Sequence, residues 1–427
     1  MKEININNFD EKLYYEKLDN GLEVFVVPLN NTKSFYVSTS IKFGGMNRSF
    51  KVNGKEYTVS TGIAHFLEHK LFEREDNPFN FYMKSGTEVN ASTNNDNTTY
   101  FFYGNSNFDE NLKYLLNWVT SFSITEEQVE KEKGIILEEA SMYKDVPDRI
   151  LYEALSSNLY INHPYKDKVI GTDSDINSIT KEELELCYKS FYRPDNMYLV
   201  AVGNIDQDSF IKIVKEELKD YKKPTDVVET VEIHEPDMVK QEYEEIEFPV
   251  EVNKLAIGYK MNRNLFKDLN IDRYMLDYYM QMILSMAFGS SSSFIEKLYL
   301  KNIVYSVTYE LVDTNEHYMF NFYVNTDKTD EFLDEFYKYI KNLDLNLDAF
   351  NRIIKLWVAS EVRMIDQVVA TAKNIVYDLI DYGEFKNDKI KDIRSLDYNT
   401  LLEVYKKLDF NSKCIVNLKS NKEKTVA

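Results

Sequence analysis

The stretch GIAHFLEHKLFE, residues 62–73, carries two of the five histidines in this chain of 427 residues. His65 and His69 are four residues apart, and Glu68 stands directly before the second of them. On a helix these three side chains project from one face, because positions i, i+3 and i+4 lie about one turn apart. Two neutral imidazoles one turn apart can bind one Zn²⁺, and a glutamate beside them can take a proton from a metal-bound water. The H-x-x-E-H order occurs among peptidase motifs, so the stretch predicts a helix with a metallohydrolase site.

A catalytic zinc needs a third protein ligand and an open position for water. The other three histidines are predicted to lie at the surface: His163 in the loop INHPYKD, His234 in a linker and His317 in a hairpin. Cys187 falls in a helical pattern and Cys414 in a strand pattern, so both are expected to be core thiols. The third ligand is therefore expected to be a carboxylate.

The segment EEQVEKEKGIILEEASMYKD predicts a helix and is the richest source of carboxylates. Glu132 and Glu139 are seven residues apart, so they fall on one helix face two turns from each other. One of them can bind the metal while the other orients an imidazole. Glu138 points about 100° away from that pair and fits less well. From the residues alone, both assignments of the pair stay open.

The composition excludes several classes of partner. The formal net charge of −20 repels nucleic acid and anionic lipid and favours a cationic partner such as a Lys/Arg-rich peptide. The start, MKEININNFDEKLYYEK, has no apolar run typical of a signal peptide, and no window approaches the roughly 18 apolar residues of a membrane span. With only two cysteines, the chain is expected to be a soluble cytoplasmic protein without disulfides.

The order of predicted elements in the first half of the chain returns, with weak identity, in the second half. Strand patterns flank the turn Asp19–Asn20–Gly21, and Thr61 is predicted to cap the histidine helix. We therefore predict an α+β fold of two homologous domains, each a mainly antiparallel β-sheet with helices packed on one face. The predicted boundaries are a zinc-bearing catalytic domain at 1–225, a linker at 226–246 and a domain without the metal motif at 247–427.

Four stretches together resemble a known family: GIAHFLEHKLFE, NASTNNDNTTY, EKEKGIILEEASMYKDVP and SFYRPDNMYLVAVGNID. In this order they are similar to the pitrilysin-type zinc metallopeptidases, the inverzincins, and above all to the half-length bacterial branch related to mitochondrial processing peptidases. The resemblance implies that His65, His69 and Glu139 bind zinc and that Glu68 is the general base. It also implies that Glu132, seven residues before the third ligand, supports the site without binding the metal.

The resemblance further implies that Asn90, Ala91 and Ser92 lie on an edge strand beside the metal. Substrate would add to this edge as an extra β-strand, held mainly through its backbone. The residues themselves form a polar strand that is compatible with such an edge.

One departure from the family concerns an arginine and a tyrosine that active members carry in the second domain to hold the substrate carbonyl. In GSSSSFIEKLYLKNIVYSVTYE, Tyr305 fits the tyrosine, whereas Leu298 or Tyr299 stands at the arginine's place. Half-length relatives pair into a closed shell, and some pairs divide these parts between two chains. We therefore expect the zinc-bearing subunit of a heterodimer, because neither site of a homodimer would have the arginine.

The expected function is a zinc endopeptidase that cleaves short or unfolded peptides, for instance the basic leader of a ribosomally made peptide. The alternative is a non-catalytic peptide-binding or assembly subunit of a peptidase-like complex, which the absent arginine favours. The intact histidine motif and Glu139 favour the enzyme.

Overall fold

The computed structural model describes residues 1–7, 9–314 and 316–421. The strands of these residues are β1 (Lys2–Asn5), β2 (Lys12–Lys17), β3 (Glu23–Pro28), β4 (Phe35–Ile41), β5 (Ser49–Val52), β6 (Lys55–Thr58), β7 (Glu88–Thr93), β8 (Thr98–Gly104), β9 (Met197–Gly203), β10 (Val228–Thr230), β11 (Tyr243–Phe248), β12 (Asn253–Asn262), β13 (Ser306–Asp313), β14 (His317–Thr326) and β15 (Lys413–Ser420). The α-helices are α1 (Ile63–Phe72), α2 (Pro78–Met83), α3 (Phe108–Thr120), α4 (Glu126–Tyr143), α5 (Pro147–Leu159), α6 (Asp173–Ser178), α7 (Lys181–Phe191), α8 (Gln207–Glu217), α9 (Arg273–Phe288), α10 (Ser293–Leu300), α11 (Thr329–Ile340), α12 (Leu347–Met364), α13 (Val368–Tyr382), α14 (Lys389–Ser395) and α15 (Tyr398–Lys406). No helix in the described ranges is long and apolar enough to cross a membrane.

These elements form two compact units, and each unit is built from both halves of the chain. Of the described residues, those within 1–141, 167–232 and 360–390 form the first unit, and those within 142–166, 233–359 and 391–427 form the second. The predicted α+β class is confirmed. The units differ from the predicted division at 226–246 in two segments, because α5 belongs to the second unit and α13 to the first.

The first unit is built on a seven-stranded sheet with the order β1-β2-β3-β9-β4-β8-β7. All its neighbouring strands are antiparallel except β3 and β9. The hairpin between β2 and β3 contains Gly21 at φ +98°, a left-handed conformation that favours glycine. Strand β7 is the last strand of the order, so one of its edges is not paired within the sheet.

The two faces of this sheet are covered by different helices. Alternate residues of β9, such as Val200 and Val202, pack on one face against Ala372 and Ile375 of α13. On the other face, α1 contacts β7 and β8, and α3 contacts β8 and β4. Trp118 of α3 lies fully buried there against the ring of Tyr100. Contacts with the sheet and with α3 therefore fix the position of α1, the helix that carries the two histidines.

The second unit has a five-stranded sheet with the order β11-β15-β12-β14-β13. Its main core lies on one face, where apolar residues of α9, α10, α11, α12 and α15 pack together. On the opposite face Leu151, Leu155 and Leu159 of α5 pack on Ala256 and Val416 of the sheet. Each unit therefore has the predicted layer of helices and, in addition, one helix on the other face that comes from the other half of the sequence.

The predicted cap of α1 at Thr61 is wrong. Gly62 occupies the cap position at φ +87°, and no side chain caps this helix. A Cβ on Gly62 would lie 2.4 Å from the carbonyl oxygen of Ile170, so only glycine fits this close approach. The entry of the chain into α1 is thus set by backbone packing and not by a capping hydroxyl.

Candidate metal centre

Helices α1 and α4 bring His65, His69 and Glu139 together in the first unit. One nitrogen of each histidine and one oxygen of the glutamate lie within 4.8 Å of one another, and this is the one such group found in residues 1–7, 9–314 and 316–421. The Nε2 atoms of His65 and His69 lie 3.7 and 3.2 Å from the two Glu139 oxygens. Tetrahedral Zn²⁺ with bonds of 2.0–2.1 Å requires ligand atoms about 3.3 Å apart. The residues therefore fit a zinc ion.

The sequence of α1 explains why its two imidazoles face Glu139 of α4. Ile63, Phe66 and Leu67 of α1 are buried, whereas His65 and His69 keep part of their surface accessible. The indole of buried Trp118 donates a hydrogen bond of 2.7 Å to the carbonyl oxygen of Leu71 near the end of α1. The apolar residues thus anchor the helix and leave the imidazole face directed toward α4.

Glu132 contacts the ring nitrogen of His69 that faces away from Glu139. The distance from His69 Nδ1 to Glu132 Oε1 is 3.1 Å, and Lys70 Nζ lies 3.6 Å from the other Glu132 oxygen. Burial lowers the pKa of His69, but hydrogen bonds and charge from Glu132 and Glu139 outweigh it and raise this pKa to about 9. A proton held at Nδ1 by Glu132 leaves Nε2 free to bind a metal.

Glu68 is a buried carboxylate that accepts a hydrogen bond from Thr93 at the end of β7. The Thr93 hydroxyl lies 2.5 Å from Glu68 Oε2. Burial raises the pKa of Glu68, while this hydroxyl and His69 act in the opposite direction. The carboxylate is thus held in one orientation in surroundings that increase its proton affinity, as a general base requires.

The predicted substrate strand is the edge strand β7. Asn90 and Ser92 are exposed, and the residues from Asn90 to Ser92 pair on one side only, with β8. Because Thr93 of the same strand contacts Glu68, the end of this edge lies at the candidate base. Any role of these residues in substrate binding remains a prediction.

Tyr305 belongs to the second unit, whereas the candidate metal ligands belong to the first. Its side chain is 63% exposed, and its hydroxyl donates to Asp327 at 2.8 Å. The two lysines nearest the arginine's place, Lys297 and Lys301, both form ion pairs with Glu335, at 2.6 and 3.2 Å. Both lysines thus share one carboxylate of their own unit.

One histidine differs from its prediction. His317 is not a surface residue: it begins β14, is only 1% exposed and contacts Asp237 at 2.9 Å. Cys187 and Cys414 are free and buried, as predicted. Sequence reasoning also missed Thr93, whose signal was its place directly after Asn90–Ser92 in the polar strand.

The chain is similar in sequence to proteins named as zinc proteases. Residues 53–173 match the family described as Insulinase (Peptidase family M16), and residues 178–355 match the Peptidase M16 inactive domain. The chain is 38% identical over 310 residues to the uncharacterized zinc protease YmfH of Bacillus subtilis. The matched region covers 71% of this chain and 72% of YmfH. It is 28% identical over 166 residues to the "Probable mitochondrial-processing peptidase subunit beta" of Schizosaccharomyces pombe, covering 38% of this chain and 36% of that one.

Solved structures show the same fold. An M16-like peptidase from Alicyclobacillus acidocaldarius has a TM-score of 0.90 at 27% identity and covers 96% of this chain and 99% of its own. A protease from Helicobacter pylori has a TM-score of 0.82 at 21% identity and covers 96% of this chain and 100% of its own.

Proposed function

Because the chain belongs to peptidase family M16, we propose that it is a zinc-dependent endopeptidase that cleaves short or unfolded peptides. The observation that carries the proposal is the group of His65, His69 and Glu139, with Glu68 one turn from the first histidine on the same helix. Two imidazoles and one carboxylate are a ligand set of catalytic zinc, with a position left for water. The names of the relatives as zinc proteases support the same metal.

Zinc bound at this group would polarise the scissile carbonyl and acidify the attacking water. Glu132 would hold His69 in the tautomer whose Nε2 binds the ion. Glu68 would accept the proton of the attacking water and then pass it to the leaving amine. Because burial raises its pKa, the Glu68 carboxylate is a stronger base toward the attacking water than an exposed glutamate.

We propose that an extended peptide adds to the free edge of β7 at Asn90, Ala91 and Ser92. Backbone pairing of this kind binds many sequences, because the main chain supplies the hydrogen bonds. The net charge of −20 favours basic peptides, such as the leader of a ribosomally made peptide. The two free, buried cysteines support a cytoplasmic location.

The proposed assembly is a heterodimer in which a homologous subunit supplies an arginine and a tyrosine. Lys297 and Lys301 are engaged by Glu335, which supports the need for a cation from another chain. The purified chain alone is expected to cleave poorly and to gain activity with a co-expressed homologue that carries the arginine. Full activity of the lone chain would refute the heterodimer and leave the peptidase proposal intact.

The peptidase proposal is tested by metal analysis together with cleavage of a quenched fluorescent peptide. The active assembly should hold one zinc per copy of this chain, and chelation should abolish cleavage. Glu68→Gln should retain zinc and lose at least about a thousandfold in kcat, the scale of removing a general base together with its proton transfer. Glu138→Gln, which removes an exposed carboxylate next to Glu139, is the matched control and should cleave normally. A chain that binds peptide but never cleaves it would support the non-catalytic alternative.

A further inference from the structure

The second unit contains a cavity of about 550 Å³ on the sheet face that α5 covers only in part. Helix α5 lies over β12 and β15, and the cavity opens beside it over β13 and β14. Ser306, Thr308 and Glu310 alternate along β13 and therefore point to this one face. Tyr152 of α5 and Tyr323 of β14 also line the cavity. The residues that line the cavity thus include tyrosines, aliphatic hydroxyls and the two carboxylates of Glu310 and Asp148.

Glu310 is the carboxylate of this cavity that has no cationic partner. It accepts a hydrogen bond of 3.3 Å from the Tyr323 hydroxyl, and no lysine or arginine among the described residues forms an ion pair with it. Asp148, at the rim, is already paired with Lys254 at 2.8 Å. A half-buried carboxylate beside a cavity gains most when a cation enters, because the charge is otherwise poorly solvated.

The chemistry of the walls favours an organic cation over a metal ion. A metal site needs several ligand atoms close together, and within the described ranges such a group occurs only at His65, His69 and Glu139. Glu310 offers one carboxylate, whereas tyrosine rings attract ammonium and guanidinium groups through their π faces. An arginine or lysine side chain can place its charged head on the carboxylate and its stem along the rings.

We infer that this cavity binds a lysine or arginine side chain of the peptide substrate, with Glu310 as its counter-ion. The inference rests on the proposed peptidase function and narrows its substrate class to peptides that carry a basic residue. The cavity holds the substrate at a place other than the scissile bond, so it sets which peptides are retained and not how the bond is broken. The overall negative charge of the chain attracts the same peptides over longer distances.

The test measures binding without cleavage. The full chain is treated with a chelator and titrated with a fluorescent peptide, acetylated and amidated at its ends, that carries one arginine. A second peptide has citrulline at this position, which keeps the shape and removes the charge. The arginine peptide is expected to bind about tenfold more tightly, as a charge-assisted hydrogen bond in a partly buried site predicts.

Three variants test whether the preference for arginine over citrulline depends on Glu310. Glu310→Gln should bind both peptides equally, and Glu331→Gln, which removes one exposed carboxylate of α11, should keep the wild-type preference. Thr308→Lys keeps every carboxylate but places an ammonium on the same strand face, two residues from Glu310, and should also abolish the preference. Equal binding of both peptides by the wild type, or an unchanged preference in Glu310→Gln, would overturn the inference.

The cation could come from a basic side chain or from the terminal ammonium group of the peptide. A peptide with a free amino terminus and no basic residue separates these two sources. Tight binding of this peptide that is lost in Glu310→Gln would support the site and assign it to the terminal ammonium. Because the chelated chain cannot cleave, a failed peptidase proposal would leave these results unchanged. Conversely, a chain that cleaves peptides without any arginine preference would refute the cation site alone.

Discussion

The contact between Thr93 and Glu68 yields the sharpest prediction about catalysis. The Thr93 hydroxyl donates to Glu68 Oε2 at 2.5 Å and also lies 3.3 Å from the hydroxyl of Thr98. Thr93→Val keeps the branched shape of the side chain and removes only the donor. The carboxylate of Glu68 would then lose the hydrogen bond that fixes its orientation toward the attacking water.

The expected loss follows from the strength of this hydrogen bond. A bond to a charged group contributes about 1.5–3 kcal/mol, and 1.36 kcal/mol corresponds to about a factor of ten in rate. Thr93 is only partly buried, so water can replace some of its contribution, and we expect the lower end of this range. The kcat of Thr93→Val should therefore fall about tenfold. KM should change little, because Thr93 holds the base and its side chain is not part of the proposed backbone pairing.

The assay is steady-state cleavage of a quenched peptide by the active assembly, with zinc content and thermal midpoint measured on the same samples. Thr93→Ser restores the hydroxyl and should recover most of kcat, whereas a purely structural role would not distinguish serine from valine so sharply. Thr58→Val, at an exposed position of β6 in the same unit, is the matched control and should leave kcat unchanged. Full kcat in Thr93→Val, with zinc retained, would refute the positioning role.

Three further results are expected from the same structure. Glu132→Gln should weaken zinc binding about tenfold in competition with a chromophoric chelator, because the charge that supports His69 is lost; unchanged affinity would contradict this. The apparent zinc affinity should fall by up to about tenfold for each pH unit between pH 8 and pH 6. The reason is that zinc must displace a proton from His69, whose pKa is about 9 without metal. An affinity that does not change with pH would exclude this competition. Glu235→Gln should destabilise the second unit by about 3 kcal/mol in urea unfolding, because it strands the fully buried Lys260, 2.5 Å away; a loss below about 1 kcal/mol would show that the pair is solvated.

The parts of the site that lie close together in sequence could be predicted from local geometry. His65, Glu68 and His69 share a face of α1 because the helix fixes their spacing, whatever packs around it. The choice between Glu132 and Glu139 could not be made in this way. Both lie on the same face of α4, and only the three-dimensional placement of α4 against α1 shows which carboxylate faces the two Nε2 atoms.

The exchange of α5 and α13 between the two units could not be predicted from sequence periodicity. An apolar stripe shows that one face of a helix is buried, but not which sheet buries it. The two sheets offer similar apolar faces, as expected of a repeated fold, so Leu151 and Leu155 carry no signal for one over the other. The burial of His317 was missed for a related reason, because Asp237, its partner, is 80 residues away in the chain.

Buried charges of this protein are paired where they hold the fold together. Glu235 lies in the predicted linker with its side chain fully buried, and it accepts from Lys260 and from three backbone amides of the loop after α5. In the first unit, Asp378 of α13 has the same arrangement with Lys389, at 2.6 Å. In both cases a cation of the same unit stabilises the carboxylate, so no ligand is needed.

Glu68 and Glu310 differ from these structural carboxylates in the kind of partner they have. Each accepts a hydroxyl hydrogen bond, from Thr93 and from Tyr323, and no lysine or arginine pairs with either within the described residues. In both, burial raises the pKa of the carboxyl group. A neutral donor orients a carboxylate without neutralising it, so the group stays able to accept a proton or to bind a cation. The same physical difference that makes Glu68 a candidate base therefore makes Glu310 a candidate receptor for a basic side chain.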